Sequence, residues 1–302
     1  MDEPTSGEAL TLDQLRLFLA VVDEGSFSAA ARALRRAQSA VSYGVANLER
    51  QLGVQLFDRA RRTPSLTPAG HELSAEARAV CAQVDRLRAH ARGITQGIEP
   101  GLAIAVDHLF PLPVLTRALT AFRDQFPTVS LALHTESLGA VWELVARGTC
   151  SVGIGSAIPG APEQLVRRPM TKVSMVNVAA PSHPLARRRG VLPPQIVREH
   201  VQVVLADRSR LTEGMQFGVY TERTWRVLDL ATKHALLLAG LGWGGMPRHV
   251  VAHDLARKRL MKLHLQEAGG AEIEATLLAI HRAAEPPGPA ARWLLERLGS
   301  ET

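Results

Sequence analysis

The stretch SFSAAARALRRAQSAVSYGVANLERQLGVQLFDRARR, Ser26 to Arg62, sets two short apolar helical patterns on either side of a basic turn. Ala29, Ala30, Ala31 and Ala33 predict a first helix, capped by Ser28 and running to about Leu34, small enough for a second helix to approach closely. After Arg35, Arg36 and Ala37, the residues Val41, Val45, Leu48 and Leu52 form the buried stripe of a helix that begins at Gln38 or Ser39 and stops at Gly53. Two helices of these lengths joined by three or four residues make a helix-turn-helix, or else two members of an ordinary bundle. In the first reading the second helix lies in a DNA major groove, with Gln38, Ser39, Ser42 and Tyr43 turned to the base edges and Ala40 able to meet a thymine methyl. Ser28 and Arg36 join that surface, and Asn47, farther along, faces phosphate or solvent.

The flanks favour the DNA reading. Upstream, Leu15, Phe18, Leu19 and Val22 fall at helical spacing between a Thr11 cap and Gly25. Downstream, Arg59, Arg61, Arg62 and Thr63-Pro64 stand between the apolar anchors Leu56-Phe57 and Leu66, which predicts two short strands with a basic tip, a wing for the phosphate backbone. The whole chain has 35 basic and 29 acidic residues, a net charge of +6. Between Gly25 and Gly70 seven arginines face only Glu49 and Asp58, so the excess is concentrated where a polyanion would dock. A long helix follows from Pro68 to about Gly93. Its residues Leu73, Ala77, Val80, Val84, Leu87 and Ala91 alternate spacings of four and three, the seam of a coiled-coil homodimer, or a face packed on the helix's own domain.

The segments LRLFLAVVDEGSFSAAARAL, QSAVSYGVANLERQLGVQLFDR and LTPAGHEL closely resemble the winged helix-turn-helix of the LysR-type transcriptional regulators, without a gap over 12–93. The resemblance implies base and phosphate contacts at Gln38, Ser39, Ser42 and Tyr43 and at Arg59 and Arg62. Two features depart from the family: Tyr43 stands where many members carry arginine, and Thr63-Pro64 replaces a glycine-bearing wing tip.

Past Gly93 strands and helices alternate, which predicts parallel sheet covered by helices. The run GSAIPGAP, Gly155 to Pro162, reads as a crossing into a second lobe. The expected organisation is a winged helix-turn-helix over 1–67, a linker helix over 68–93 and a two-lobed α/β domain over 94–302. Lobe I takes about 100–160 and 268–302, and lobe II takes about 161–267. FPTVSLAL, GTCSVGIG and AGLGWGGMP resemble, more loosely, the family's effector-binding half, whose fold is that of periplasmic solute-binding proteins. Two lobes joined by two crossovers enclose a cleft, with ligand atoms at carboxyl ends of strands and at helix starts. That topology selects Asp107 and His108, Glu136 and Ser137, and Arg208 to Thr212. Trp225 and Trp243 are candidates for the cleft wall or for plain core, and Lys233 and His234 for an anionic ligand or for solvent.

Other chemistries find little support. His249 and His253 have the i, i+4 spacing of some zinc sites, but HVVAH lacks the glutamate of HExxH and has no evident third ligand. GIGSA is not a GxSxG elbow, and GLGWGG does not complete a dinucleotide fingerprint, so these glycines read as turns. Cys81 and Cys150 are too few for a disulfide framework, and the acidic, polar start MDEPTSGEAL lacks the pattern of an export signal, so a cytoplasmic location is expected. No cofactor is expected. The expected partners are double-stranded promoter DNA, a small-molecule effector, further copies of the chain, and RNA polymerase if it activates. The alternatives are a small-molecule-binding α/β protein or enzyme with an incidental basic module, and a solute-binding protein. Specific, salt-steep DNA binding separates them from a regulator.

Overall fold

The computed structural model describes residues 10–58 and 64–301, in two compact units that divide after Arg92. The first unit contains α1 (Leu12–Glu24), α2 (Phe27–Ala33), α3 (Gln38–Leu52), β1 (Phe57–Asp58), β2 (Ser65–Leu66) and most of α4 (Pro68–Thr95). Thr11 caps α1 reciprocally: its Oγ1 accepts from the Gln14 N–H at 3.3 Å, and the Gln14 side chain accepts from the Thr11 N–H at 2.8 Å. At α2 the expected cap is corrected. Ser26, not Ser28, has the extended backbone of an N-cap and accepts from the Ala29 N–H at 3.2 Å, leaving Ser28 exposed in the first turn.

The three helices close on a core of Phe18, Ala30, Val41, Val45 and Leu48, all fully buried. Gly44 marks a close approach of α3 to α1, since a Cβ there would stand 2.4 Å from Leu17 Cδ1. β1 and β2 pair antiparallel with Phe57 opposite Leu66, and the Phe57 ring meets Phe18 and Phe27 edge-on at 5.6 and 5.4 Å. Glu49, counted in the sequence as one of two acids among arginines, is buried. Its Oε1 accepts from the Leu56 and Phe57 N–H groups at 2.8 and 3.1 Å, pinning the wing to α3.

Along α4 the predicted seam divides. Ala77 is buried in the helix-turn-helix core with Leu73 partly buried beside it, a contact within the chain that Ala77's small side chain allows. Farther on, Val80, Leu87 and Ala91 are exposed and Val84 is half-buried. The coiled-coil expectation for Leu73 and Ala77 is therefore corrected, and the uncovered apolar stripe begins at Val80.

The second unit runs β3 (Gly101–Asp107), α5 (Leu112–Gln125), β4 (Ser130–Glu136), α6 (Gly139–Ala146), β5 (Val152–Ser156), β6 (Leu165–Ala179), β7 (Val191–Leu192), α7 (Pro194–Val197), β8 (Gln202–Leu205) and β9 (Thr224–Val227). It continues through α8 (Leu230–Leu238), β10 (Trp243–Pro247), α9 (Arg248–Ala256), β11 (Met261–Leu265), β12 (Ile273–Arg282) and α10 (Pro289–Ser300). Hydrogen bonds link the strands in the order β4-β3-β5-β12-β6-β10-β8-β9. The outer strands of each lobe are parallel as expected, while β6 and β12 run antiparallel between them.

The crossing between lobes is not at Gly155–Pro162. Residues 165–175 of β6 pair with β12 and bury Leu165 in lobe I, while its last residues, 175–179, pair with β10 and β11 and bury Val176 and Val178 in lobe II. The boundary thus falls inside one 15-residue strand, between Val173 and Val176. A second correction concerns WGGMP, whose glycines lie in β10 rather than in turns. A Cβ on Gly244 would stand 2.5 Å from the Val203 carbonyl oxygen, so glycine is what lets the two backbones approach.

Candidate functional site

The first candidate surface is the start of α3. Its apolar stripe is spent on the core, which leaves Gln38, Ser39 and Ala40 exposed, Tyr43 at 68% exposure and Ser42 half-buried. No side chain caps this helix, whose N-cap is Ala37. The N–H groups of its first turn and the positive end of its dipole thus face outward. Arg36, in the preceding turn, is exposed and bonds Asp13 at 2.6 Å, which raises its pKa. Arg59, Arg61 and Arg62, expected at the wing tip, lie outside the described residues. Asn47 corrects the reading: it is buried, and its Oδ1 accepts from the Arg50 guanidinium, because the α3 register turns it toward the core face with Leu48.

The second candidate lies between the lobes of the second unit, a cavity of about 520 Å3 lined by residues of both. That volume falls within the range usual for small-molecule sites. Of the residues selected by topology, Asp107 and Ser137 line it. Asp107 is occupied internally. Its Oδ1 accepts from the Leu109 N–H at 2.9 Å, and Oδ2 from the Leu138 N–H, the Ser156 N–H and the Ser156 hydroxyl at 3.3, 3.2 and 2.7 Å. These four donors match the acceptor capacity of a carboxylate, so Asp107 staples β3, α6 and β5 together. Burial raises its pKa, with the hydrogen bonds from Leu109, Ser156 and Leu138 opposing that shift. Ser137 differs: it is buried and its Oγ has no hydrogen-bond partner among the described residues.

Lys233 also lines this cavity and is not solvated. It is 7% exposed, and burial pushes its ammonium down to about 8. Its neighbour His234 is engaged elsewhere, Nε2 lying 2.7 Å from Asp254. Asn177 on β6 and Gln202 on β8 add polar groups to the wall. Neither was singled out in the sequence, although each is a polar residue inside an apolar strand run, VSMVNVAAP and VQVVLAD.

The remaining cleft candidates are displaced. Trp225 is 47% exposed on the edge strand β9, and Trp243 is fully buried, stacked on Tyr220 with ring centroids 6.2 Å apart. His108 lines neither this cavity nor the next one. Arg208 is exposed at 3.7 Å from Glu136, a pair too solvated to contribute much. Thr212 lines an adjoining cavity of about 420 Å3, where its hydroxyl donates to Asp207.

Asp207, which no sequence pattern marked, is a clasp between the lobes. It follows β8 in lobe II and accepts from the Gly139 and Ala140 N–H groups of α6 in lobe I, at 2.9 and 3.1 Å. The Ser209 N–H and hydroxyl, both at 2.9 Å, and Thr212 hold the carboxylate in place. The preceding residue, Leu138, has φ +48, a strained backbone held from one side by Asp107 and from the other by Asp207. Gly139 is required, since a Cβ there would stand 2.2 Å from Ser209 Oγ and 2.9 Å from Asp207 Oδ2. The same loop packs Leu211 and Phe217 on the core of lobe I.

No group of three or more His, Cys, Asp and Glu side chains among the described residues is arranged to hold a metal ion. His253 of the HVVAH pair contacts Arg259 at 3.2 Å.

Residues 12–71 match the bacterial regulatory helix-turn-helix proteins of the lysR family, and residues 95–302 match the LysR substrate binding domain. The HTH-type transcriptional regulator PunR of Escherichia coli is 32% identical over 287 residues, 94% of this chain and 91% of PunR. The HTH-type transcriptional activator AllS of Klebsiella pneumoniae is 29% identical over 252 residues, 82% of this chain and 93% of AllS. Among solved structures, an H2O2-bound mutant of OxyR from Corynebacterium glutamicum superposes with a TM-score of 0.52 at 21% identity, over 97% of this chain and 94% of that one, a likeness of fold. An uncapped helix presented by a helix-turn-helix, a cavity between two α/β lobes and these matches together place the chain in the LysR family of transcriptional regulators, DNA-binding proteins with an effector domain rather than enzymes.

Proposed function

We propose that this regulator reads promoter DNA as a homodimer or homotetramer, through α3 in successive major grooves, and that a small molecule in the interlobe cavity alters that binding. The observation that carries the reading is the division of α3: Val41, Val45 and Leu48 are buried while Gln38, Ser39, Ala40 and Tyr43 stand clear of the core. Gln38 and Tyr43 meet base edges, with Ser39, Ala40 and Ser42 beside them. Ser28, Arg36, Arg59, Arg61 and Arg62 meet phosphate and set affinity without sequence preference. The exposed Val80, Leu87 and Ala91, with Val84, form the face on which a second copy pairs, bringing two recognition helices to a palindromic site.

The reading extends to a cytoplasmic location and, where the regulator activates, to RNA polymerase as a partner. A ligand preferring one arrangement of the lobes shifts the balance between arrangements, and the linker helix passes the change on as altered spacing of the paired DNA-binding units.

The test is a footprint and a gel-shift titration of the full chain on duplexes selected from random sequence. Retention of a two-half-site consensus, with an affinity that falls steeply with salt, supports the reading; equal affinity for all duplexes overturns it. Sedimentation of Leu87→Glu tests the pairing face, with dissociation into monomers expected and an unchanged assembly refuting it.

A further inference from the structure

The chain has four lysines, Lys172, Lys233, Lys258 and Lys262. Lys172 bonds Glu274 and Lys262 bonds Glu272, each at 2.8 Å, and Lys258 is exposed. Lys233 alone combines burial with the lack of any hydrogen-bond or ion-pair partner among the described residues. It sits in the first turns of α8 behind the Asp229 cap, with its Cε 3.3 Å from where a Cβ on Gly244 of β10 would stand. A buried ammonium without a counter-charge is costly, and an anion arriving beside it recovers much of that cost.

The other charged groups on the cavity wall do not supply the counter-charge. Asp107 makes no ion pair with Lys233, whose shift arises from burial alone, and Glu274 is paired with Lys172. Tyr220 is held neutral, its pKa raised by burial and by Glu267. On α8 itself Asp229 is committed to the Thr232 N–H, and His234 to Asp254. Gln202 is satisfied as well, donating to the Gly218 carbonyl and accepting from the Tyr220 N–H. Two further buried polar side chains on the wall have no partner among the described residues, the Ser137 hydroxyl and the Asn177 amide. The start of α6, otherwise the natural seat for an anion, is filled by Asp207.

We propose that the cavity takes a small organic acid, its carboxylate on Lys233 with Ser137 and Asn177 in its polar shell, and its apolar body against Met175, Phe217 and Ile273. This rests on the reading of the cavity as the effector site and adds the chemical class of the effector.

The experiment uses the full chain with its four lysines and α-amine dimethylated with 13C-formaldehyde, so that each amine gives its own NMR signal. Sodium benzoate, phenylacetate and adipate are titrated against benzamide, phenylacetamide and adipamide, over pH 6–10. At least one acid is expected to move the Lys233 titration midpoint from near 8 to above about 9 and to bind at least about tenfold more tightly than its amide. In Lys233→Met that preference is expected to vanish while the fold is kept. Acids that leave the Lys233 signal unmoved, or that bind Lys233→Met within about twofold of the unaltered chain, overturn the proposal. Ala157→Trp, which fills the rim of the same cavity, separates the two claims. Amide binding abolished by Ala157→Trp leaves the cavity reading standing without the carboxylate. Acid binding that survives Ala157→Trp but not Lys233→Met removes the cavity reading instead.

Discussion

The starts of α3 and α6 are built from the same material and used in opposite ways. Neither helix has a capping side chain at its own N-cap, which is Ala37 in one and Leu138 in the other. At α3 the free N–H groups face outward beside Gln38 and Ser39; at α6 they are closed by a carboxylate 68 residues away in sequence. The positive end of a helix is a resource that a protein can present to a ligand or spend on itself. In this regulator the DNA-binding unit presents it, and the effector unit spends it on holding two lobes together.

Removing the clasp breaks that contrast most directly. Asp207→Ala leaves the Gly139 and Ala140 donors without a partner and should destabilise the effector unit by roughly 3–4 kcal/mol. Urea unfolding reads this, and a loss below about 1 kcal/mol would mean that the lobes are held mainly by Leu211 and Phe217.

The next effect concerns Lys233, whose ammonium burial holds down to about 8 from 10.5. Below 8 the folded and unfolded chains both carry the proton and the full cost of the buried charge is felt. Between about 8 and 10.5 the unfolded chain binds more protons, so this group makes stability rise with pH across that window. Lys233→Met should abolish that rise and stabilise the ligand-free protein near pH 7 by up to about 3 kcal/mol. Thermal unfolding at pH 7 and pH 10 measures both.

At the open helix, Gln38→Ala should cost about 1–3 kcal/mol on the preferred duplex and relax selection at one base position. Arg62→Ala should weaken binding to every duplex and reduce the salt slope by about 1. Equal losses for Gln38→Ala on preferred and random DNA would take away its base contact. The smallest expected effect sharpens the comparison by copying one helix start into the other. Ala37→Asp gives α3 the carboxylate that α6 already has, so it should stabilise the first unit by about 1 kcal/mol and repel phosphate. Gel shift should then show weaker DNA binding by a better-folded protein.

Much of the DNA-binding unit was legible because its logic is local. The Thr11 cap, the α3 stripe and the anchors Phe57 and Leu66 lie within a few residues of the patterns that reveal them. The misassigned cap at Ser28 shows the limit of such rules, since two serines two apart both satisfy them and only the backbone of Ser26 decides. Asn47 failed for a related reason: polarity suggested an outward side chain, but helix phase put it inside. In the effector unit the strands were legible and the site less so. Asp107 and Ser137 were placed from topology, yet only the hydrogen-bond geometry tells that one is saturated and the other is free. Asp207 left no mark because its partners lie on a distant helix, and β10 was read as turn because its glycines serve a neighbouring backbone rather than a bend.

The long strand β6 has a mechanical consequence. Both passages of the chain between the lobes are strands bonded to each other, β6 and β12, and their pairing slips once, where Leu277 faces Thr171 and Leu278 faces Pro169, leaving Met170 out of register. A loop hinge would let the lobes swing with little resistance, but a paired ribbon resists bending in its plane and yields mainly in twist. A ligand that drew the lobes together would have to twist this ribbon, whose one irregular step lies at Met170. For such a motion the effector unit would be a torsion element, because paired strands rather than loops carry the chain between the lobes.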